Sequence, residues 1–198
     1  MAETTIKRRK SRQNEFWDIE YSKNNKYDML MSMATHYYIV GLGNPGPEFE
    51  GSPHNAGRFC VTLFQEKYKG KNAKIILPEV YMNQSGKAVK NIPVKKLILI
   101  HDDIDLPLGR FKIVFNRGSG GHKGVQSVIR ALGTEKFIRI RIGISPKKKP
   151  NHKELLKFLT SKLKPAQISQ LKKISKKILE AIEVMINEGH EKAMTLYN

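Results

Sequence analysis

From Tyr37 onward the chain alternates short runs of β-forming residues with longer stretches of helical character, and this alternation decides which folds are open to it. The runs at 37–41 (YYIVG), 74–77 (KIIL), 97–100 (LILI), 110–115 (RFKIVF) and 137–142 (FIRIRI) read as strands. Those at 74–77 and 97–100 are almost wholly apolar, which predicts strands buried on both faces. Those at 110–115 and 137–142 alternate, so each is expected to have a wetter face. Between them, 54–69, 83–92 and 120–132 read as helices. The expected class is α/β: a single three-layer α/β/α domain with a twisted mixed β-sheet flanked by helices.

The clearest single element is a helix near the C-terminal end. Pro165 suits its first turn and Gly189 its end. Leu171, Ile174, Ile178, Ile182, Met185 and Ile186 recur at three- and four-residue spacing as one apolar stripe, and Lys172, Lys173, Lys176 and Lys177 fall on the other side. Taken alone, this is an amphipathic helix with a wet basic face. The whole chain, however, carries 36 Lys and Arg against 18 Asp and Glu, a net charge of +18. Such a field draws polyanions, and the basic face then offers a phosphate track for an RNA stem. A solvated Lys-rich surface is the plainer source of the same charge. Both readings stay open.

Residues 1–35 are polar and mixed in charge, and are expected to form a disordered N-terminal extension ahead of a domain over 36–198. Lys7, Arg8, Arg9 and Lys10 could touch RNA or serve as an address, although Glu3, Glu15, Asp18 and Glu20 suit a transit peptide poorly. Met33, just ahead of the first strand, is an alternative start. No apolar run approaches the roughly 18 residues of a membrane span, and no signal-peptide core stands near the start. The one cysteine, Cys60, lies in an apolar run and reads as core filling. A reducing, cytoplasmic setting is expected, with organellar targeting by 1–35 left open.

Three segments carry chemistry. Gly41–Gly46 (GLGNPG) follows a strand and formally satisfies the dinucleotide fingerprint. Pro45 and Pro47 hinder the helix that fingerprint needs, and Glu66, the acidic residue about twenty positions on, falls in a helical run. A glycine-lined turn presenting the Asn44 amide at a cleft edge fits better. The second segment, 53–57 (PHNAG), places His54 at the mouth of a helix just beyond that turn. A lone histidine is usually structural, but imidazole at such a place suits proton transfer near neutral pH. The third, 101–109 (HDDIDLPLG), ends an apolar strand, where α/β sheets gather ligands. Its three aspartates could bind Mg²⁺, form turns or orient a histidine. The absence of a matching Asp, Glu or His cluster elsewhere makes a metal cage a poor reading.

These segments, together with 81–87 (YMNQSGK), 120–124 (GGHKG) and the closing 191–194 (EKAM), occur in an order that resembles the bacterial-type peptidyl-tRNA hydrolase family over 36–198. Each motif alone is weak, but the five ahead of the closing segment, in this order, are specific. The resemblance implies a metal-independent esterase without cofactors, whose partner is peptidyl-tRNA and which acts as a monomer away from membranes. It implies that His54 is a general base activating water and that Asp102 holds it in its reactive orientation. Asn44 falls where the family distinguishes peptide-blocked from simple aminoacyl-tRNA. Phe49, Tyr81 and Asn83 match positions holding the substrate's 3′ end and peptide backbone, and Lys112 and Arg141 fall where tRNA phosphates are met. Asn83 would suit the oxyanion, a donor role worth on the order of 3 kcal/mol.

Two departures stand out. Lys123 occupies the place where many members carry Asn in the GGHxG motif, and lysine cannot accept a hydrogen bond, which favours phosphate pairing there over peptide positioning. The stretch between His54 and Asn83 is short, with room for one helix and one strand. A non-catalytic RNA-binding relative and a dinucleotide- or metal-dependent enzyme remain the alternatives.

Overall fold

Residues 97–100 offer no polar face, and the strand they begin runs through the middle of the sheet with Leu97, Ile98, Leu99 and Ile100 all fully buried. The computed structural model describes residues 36–146 and 149–198, apart from the His152 side chain, so the readings made for 1–35 lie outside the described residues. Among the described residues five strands form one sheet: β1 (Tyr37–Gly41), β2 (Ala73–Ile76), β3 (Leu97–Pro107), β4 (Phe111–Phe115) and β5 (Ile138–Ser145). Their order is β2-β1-β3-β5-β4, with β4 antiparallel to β5 and the other neighbours parallel.

Among the described residues six α-helices accompany them: α1 (Ala56–Lys67), α2 (Gly86–Val89), α3 (Lys123–Leu132), α4 (His152–Thr160), α5 (Pro165–Glu188) and α6 (His190–Tyr197). Strand side chains alternate between faces, so β1 and β3 feed two cores. Ile39, Ile98 and Ile100 pack with Cys60, Val61 and Phe64 of α1 and Ile178, Ile182 and Met185 of α5. Val40, Leu97 and Leu99 pack with Val89 of α2, Val125 and Val128 of α3, and Phe137. Burying each such side chain contributes roughly 1.5–3 kcal/mol of transfer free energy. The expected three-layer arrangement is present, and Lys172, Lys173, Lys176 and Lys177 of α5 are exposed as the stripe required.

The structure corrects several local readings. The run read at 74–77 falls in the edge strand β2 (Ala73–Ile76), whose Ile75 and Ile76 are only half-buried, because among the described residues no strand covers its far side. In β5 the expected wetter face is closed at Arg139, which is 2% exposed and donates to the carbonyls of Arg117 and Gly118 at 2.6 and 3.0 Å. The helix read at 83–92 shrinks to a 3-10 turn at Met82–Gln84 and the single turn of α2. Strand β3 runs on to Pro107, so the aspartates at 102, 103 and 105 lie within a strand. Helices α4 and α6 were not read from the sequence. Among the described residues, no helix is long and apolar enough to cross a membrane.

The chain leaves the adjacent carboxyl ends of β1 and β3 in opposite directions, towards β2 on one side and towards β4 and β5 on the other. In open α/β sheets such a divergence leaves a crevice.

Candidate active site

The crevice is closed on one side by backbone contact. Leu42 N–H donates to the Ile100 carbonyl at 2.8 Å, and Arg58 N–H donates to the Leu42 carbonyl at 2.8 Å. A Cβ on Gly57 would lie 2.3 Å from the Ile100 carbonyl oxygen, so only glycine lets the first turn of α1 press against β3. The 3-10 turn Pro53–Asn55 is thereby set over the carboxyl half of β3. The GLGNPG segment leads into this turn, and α1 begins only at Ala56, so no helix opens within the motif as a dinucleotide would require.

Asp102 is 3% exposed and accepts from two imidazoles. His54 Nδ1–H reaches its two oxygens at 3.0 and 2.9 Å, and His122 Nε2–H reaches Oδ1 at 2.9 Å. The tautomers follow from the other partners. His122 is the N-cap of α3, and its Nδ1 accepts from the N–H groups of Gly124 and Val125 at 3.1 and 3.3 Å, which leaves the proton on Nε2. His54 spends its Nδ1 proton on Asp102, and its Nε2 lone pair takes no partner among the described residues.

Burial by itself pushes the His54 pKa down, but the charge and hydrogen bond of Asp102 outweigh it and hold the imidazole above its ordinary 6.5, against an opposing push from the Lys123 charge. Burial likewise works to raise the Asp102 carboxyl, yet the charges of His54 and His122 and their hydrogen bonds hold it well below the carboxylate range. A third imidazole, His101, donates from Nδ1 to the Asp102 carbonyl at 2.7 Å and meets the His122 ring edge-on at 4.8 Å. Burial, followed by the His122 charge, keeps it far below 6.5 and therefore neutral.

Amides gather beside the His54 turn. Asn55, 4% exposed, clips Asn44 by accepting its N–H at 2.8 Å and donating to its carbonyl at 2.9 Å. Asn44 Oδ1 in turn accepts the Met82 N–H at 2.7 Å, which frees its amide Nδ2 as a donor. That bond fixes the Met82–Gln84 turn, on which Asn83 is exposed. Next to it, Tyr81 is 57% exposed and stands perpendicular to Phe49, ring centroids 6.4 Å apart.

His54, Asp102 and His122 also bring three possible ligand atoms within 4.8 Å of one another, a grouping the sequence reading did not see. A divalent ion there would have to displace the protons that both imidazoles spend on the carboxylate. The donor set fits proton holding better than metal binding. The other aspartates are dispersed: Asp103 pairs with Arg141 and Asp105 with Lys149.

The profile of the family described as Peptidyl-tRNA hydrolase matches residues 38–198. A peptidyl-tRNA hydrolase of Thermodesulfovibrio yellowstonii is 44% identical over 188 residues, spanning 81% of this chain and 97% of its own. The chain belongs to the peptidyl-tRNA hydrolase family. A peptidyl-tRNA hydrolase of Pseudothermotoga lettingae is 37% identical over 180 residues, spanning 81% and 95% of the two chains. The crystal structure of peptidyl-tRNA hydrolase from Acinetobacter baumannii, 25% identical, matches with a TM-score of 0.75 over 82% of this chain and 94% of that one.

Within this peptidyl-tRNA hydrolase fold the residues singled out in the sequence fall into three groups. His54 and Asp102 touch, with Lys123 close enough for its charge to act on the imidazole. Asn44, Asn83, Phe49 and Tyr81 belong to the amides and aromatics beside the His54 turn. Lys112 and Arg141 are cross-strand partners on β4 and β5, one exposed and the other tied to Asp103. His122, His101 and Asn55 were not given roles from the sequence. A histidine directly ahead of a helix was the available signal for His122; nothing in the sequence marked Asn55 beyond its place beside His54.

Proposed function

We propose that this protein hydrolyses the ester bond between the peptide and the tRNA of peptidyl-tRNA, with His54 as general base and Asp102 as the carboxylate that orients it. One observation carries this reading: His54 Nδ1 is committed to both oxygens of Asp102 while its Nε2 stays free. A water held on Nε2 gives up a proton to it and attacks the ester carbonyl, and buried Asp102 compensates the imidazolium that forms. The Asn83 amide, with Asn44 Nδ2 nearby, donates to the oxyanion. Collapse breaks the carbon–oxygen bond, and the imidazolium returns its proton to the departing ribose oxygen, releasing a peptide carboxylate and tRNA.

Phe49 and Tyr81 hold the acylated 3′ end, Asn44 discriminates for the blocked amine, and Lys112, Lys123 and Arg141 meet phosphates. The enzyme works as a monomer in the cytoplasm and returns tRNA from stalled translation. The test is cleavage of N-blocked against unblocked aminoacyl-tRNA by wild type and His54→Ala. The wild type is expected to cleave the blocked substrate selectively, and His54→Ala to lose at least about 10³-fold in turnover while still binding tRNA. Normal turnover by the purified variant would end the assignment.

A further inference from the structure

The loop that carries Phe49 is held by a side chain from far along the chain. Lys162 lies in the short connection between α4 and α5, and its Nζ donates to the carbonyls of Pro47, Glu48 and Glu50 at 3.2, 2.9 and 2.6 Å. An ammonium has three donors, and all three are used on one turn. Beside it, Leu163 N–H donates to the Gly51 carbonyl at 2.8 Å, and the Leu163 side chain is buried. Ser52 takes the remaining carbonyl, that of Phe49, through both N–H at 3.1 Å and Oγ at 2.7 Å. Every carbonyl from 47 to 51 therefore has a donor. Two of those donors come from the connection that joins α4, which packs against the His54 turn, to α5.

We infer that Lys162 is a positioning residue for substrate, acting through Phe49. The inference rests on the functional reading above, in which Phe49 and Tyr81 grip the acylated end. Three carbonyl dipoles converging on one point repel one another, and the Lys162 ammonium between them offsets that repulsion while donating to all three. The choice of partners is specific, because Lys162 forms no ion pair among the described residues although Glu48 and Glu50 lie on the same turn. With the ammonium gone, the turn between Gly46 (φ 107°) and Gly51 (φ 67°) is free to open, and the Phe49 ring leaves its perpendicular contact with Tyr81. The proton chemistry at His54 and Asp102 uses none of these bonds.

The experiment compares steady-state cleavage of N-blocked aminoacyl-tRNA by wild type, Lys162→Met, Lys162→Arg and Lys162→Ala, the last with and without added methylammonium. Lys162→Met is expected to raise KM about ten-fold while kcat and the acid limb of its pH profile stay within about two-fold, the pattern of lost binding common to ground and transition states. Lys162→Arg should fall between the two, since a planar fork cannot seat at the convergence of three acceptors. Methylammonium should lower the KM of Lys162→Ala towards wild type, which a merely structural lysine would not permit. Amides of residues 46–52 should exchange faster with deuterated water in Lys162→Met. An unchanged KM, or a kcat falling with the thermal midpoint while KM holds, would overturn the inference with the functional reading intact. A wild-type protein that leaves the ester uncut would remove both.

Discussion

His122 donates through Nε2 to Asp102 Oδ1 at 2.9 Å, the same oxygen that receives His54 at 3.0 Å. The carboxylate is therefore shared between the proposed base and the N-cap of α3. Removing His122 leaves Asp102 less compensated, and its charge then acts more strongly on His54. In His122→Ala the acid limb of kcat/KM should move to higher pH. Loss of the cap should also cost about 1 kcal/mol of stability, read from urea unfolding. A limb that moved down would show that the two imidazoles do not compete for the carboxylate.

Asp102→Asn tests the other side of that coupling. Asp102 is what lifts His54 above 6.5; burial and the Lys123 charge both push it down. A base must be deprotonated, so wild-type activity should fall as pH drops through a value above 6.5, and in Asp102→Asn that limb should appear below 6.5. Turnover should fall by about 10²–10⁴-fold, because an amide can present its N–H to Nδ1 and move the ring proton to Nε2. Stability follows with definite signs. The Asp102 carboxyl is depressed from 3.8, so its contribution is present above that pH and drains as pH falls through the folded value. His54 is raised, so its contribution is full below 6.5 and is lost as pH rises through the folded value. The stability gap between wild type and variant should therefore be widest between these two pH values.

The residues that were legible in advance are those whose physics is local. An all-apolar run at 97–100 announced a buried strand, and an apolar stripe at three- and four-residue spacing from Leu171 to Ile186 announced α5. The run at 74–77 looked equally buried, but position in a sheet is set by what pairs on the far side, and strand composition cannot report that. By residue type Arg139 belongs on a wetter face, but two loop carbonyls close over its guanidinium. The His54–Asp102 pairing was expected from family resemblance. The second imidazole on Asp102 spans 20 residues and depends on how α3 begins, which no spacing in the sequence encodes.

Gly57→Ala should damage both fold and chemistry. The added methyl would meet the Ile100 carbonyl oxygen at 2.3 Å and the Leu42 carbonyl oxygen at 2.9 Å, both backbone atoms that cannot swing aside. Either α1 lifts or the strand ends part, at a cost of about 1–3 kcal/mol. Because His54 rides on the turn ahead of α1, its distance to Asp102 opens with it. Unfolding midpoints and turnover should drop together, and a variant with full turnover would mean that the contact does not set the pair.

Lys123→Ala separates field from contact. The Lys123 charge lowers the His54 pKa, so its removal should shift the acid limb to higher pH, opposite in direction to Asp102→Asn. Raising the salt should produce a smaller shift of the same sign in wild type by screening that charge. The readout is kcat/KM against pH at two ionic strengths. A limb indifferent to both would place the ammonium too far out to act.

Lys112 and Arg141 face each other across β4 and β5, but only Arg141 is tied to a carboxylate, that of Asp103. If both meet phosphates, each substitution by alanine should flatten the log–log dependence of tRNA affinity on salt by roughly 0.7–0.9. Their costs should nevertheless differ. Losing Lys112 removes one exposed cation, whereas losing Arg141 also uncovers the Asp103 charge beside the phosphate path. Arg141→Ala should therefore weaken binding more than Lys112→Ala, and Asp103→Asn in the Arg141→Ala background should recover part of the loss. Binding isotherms across a salt series for the three variants would decide it, and equal affinities for Lys112→Ala and Arg141→Ala would mean that Asp103 lies outside the field the tRNA feels.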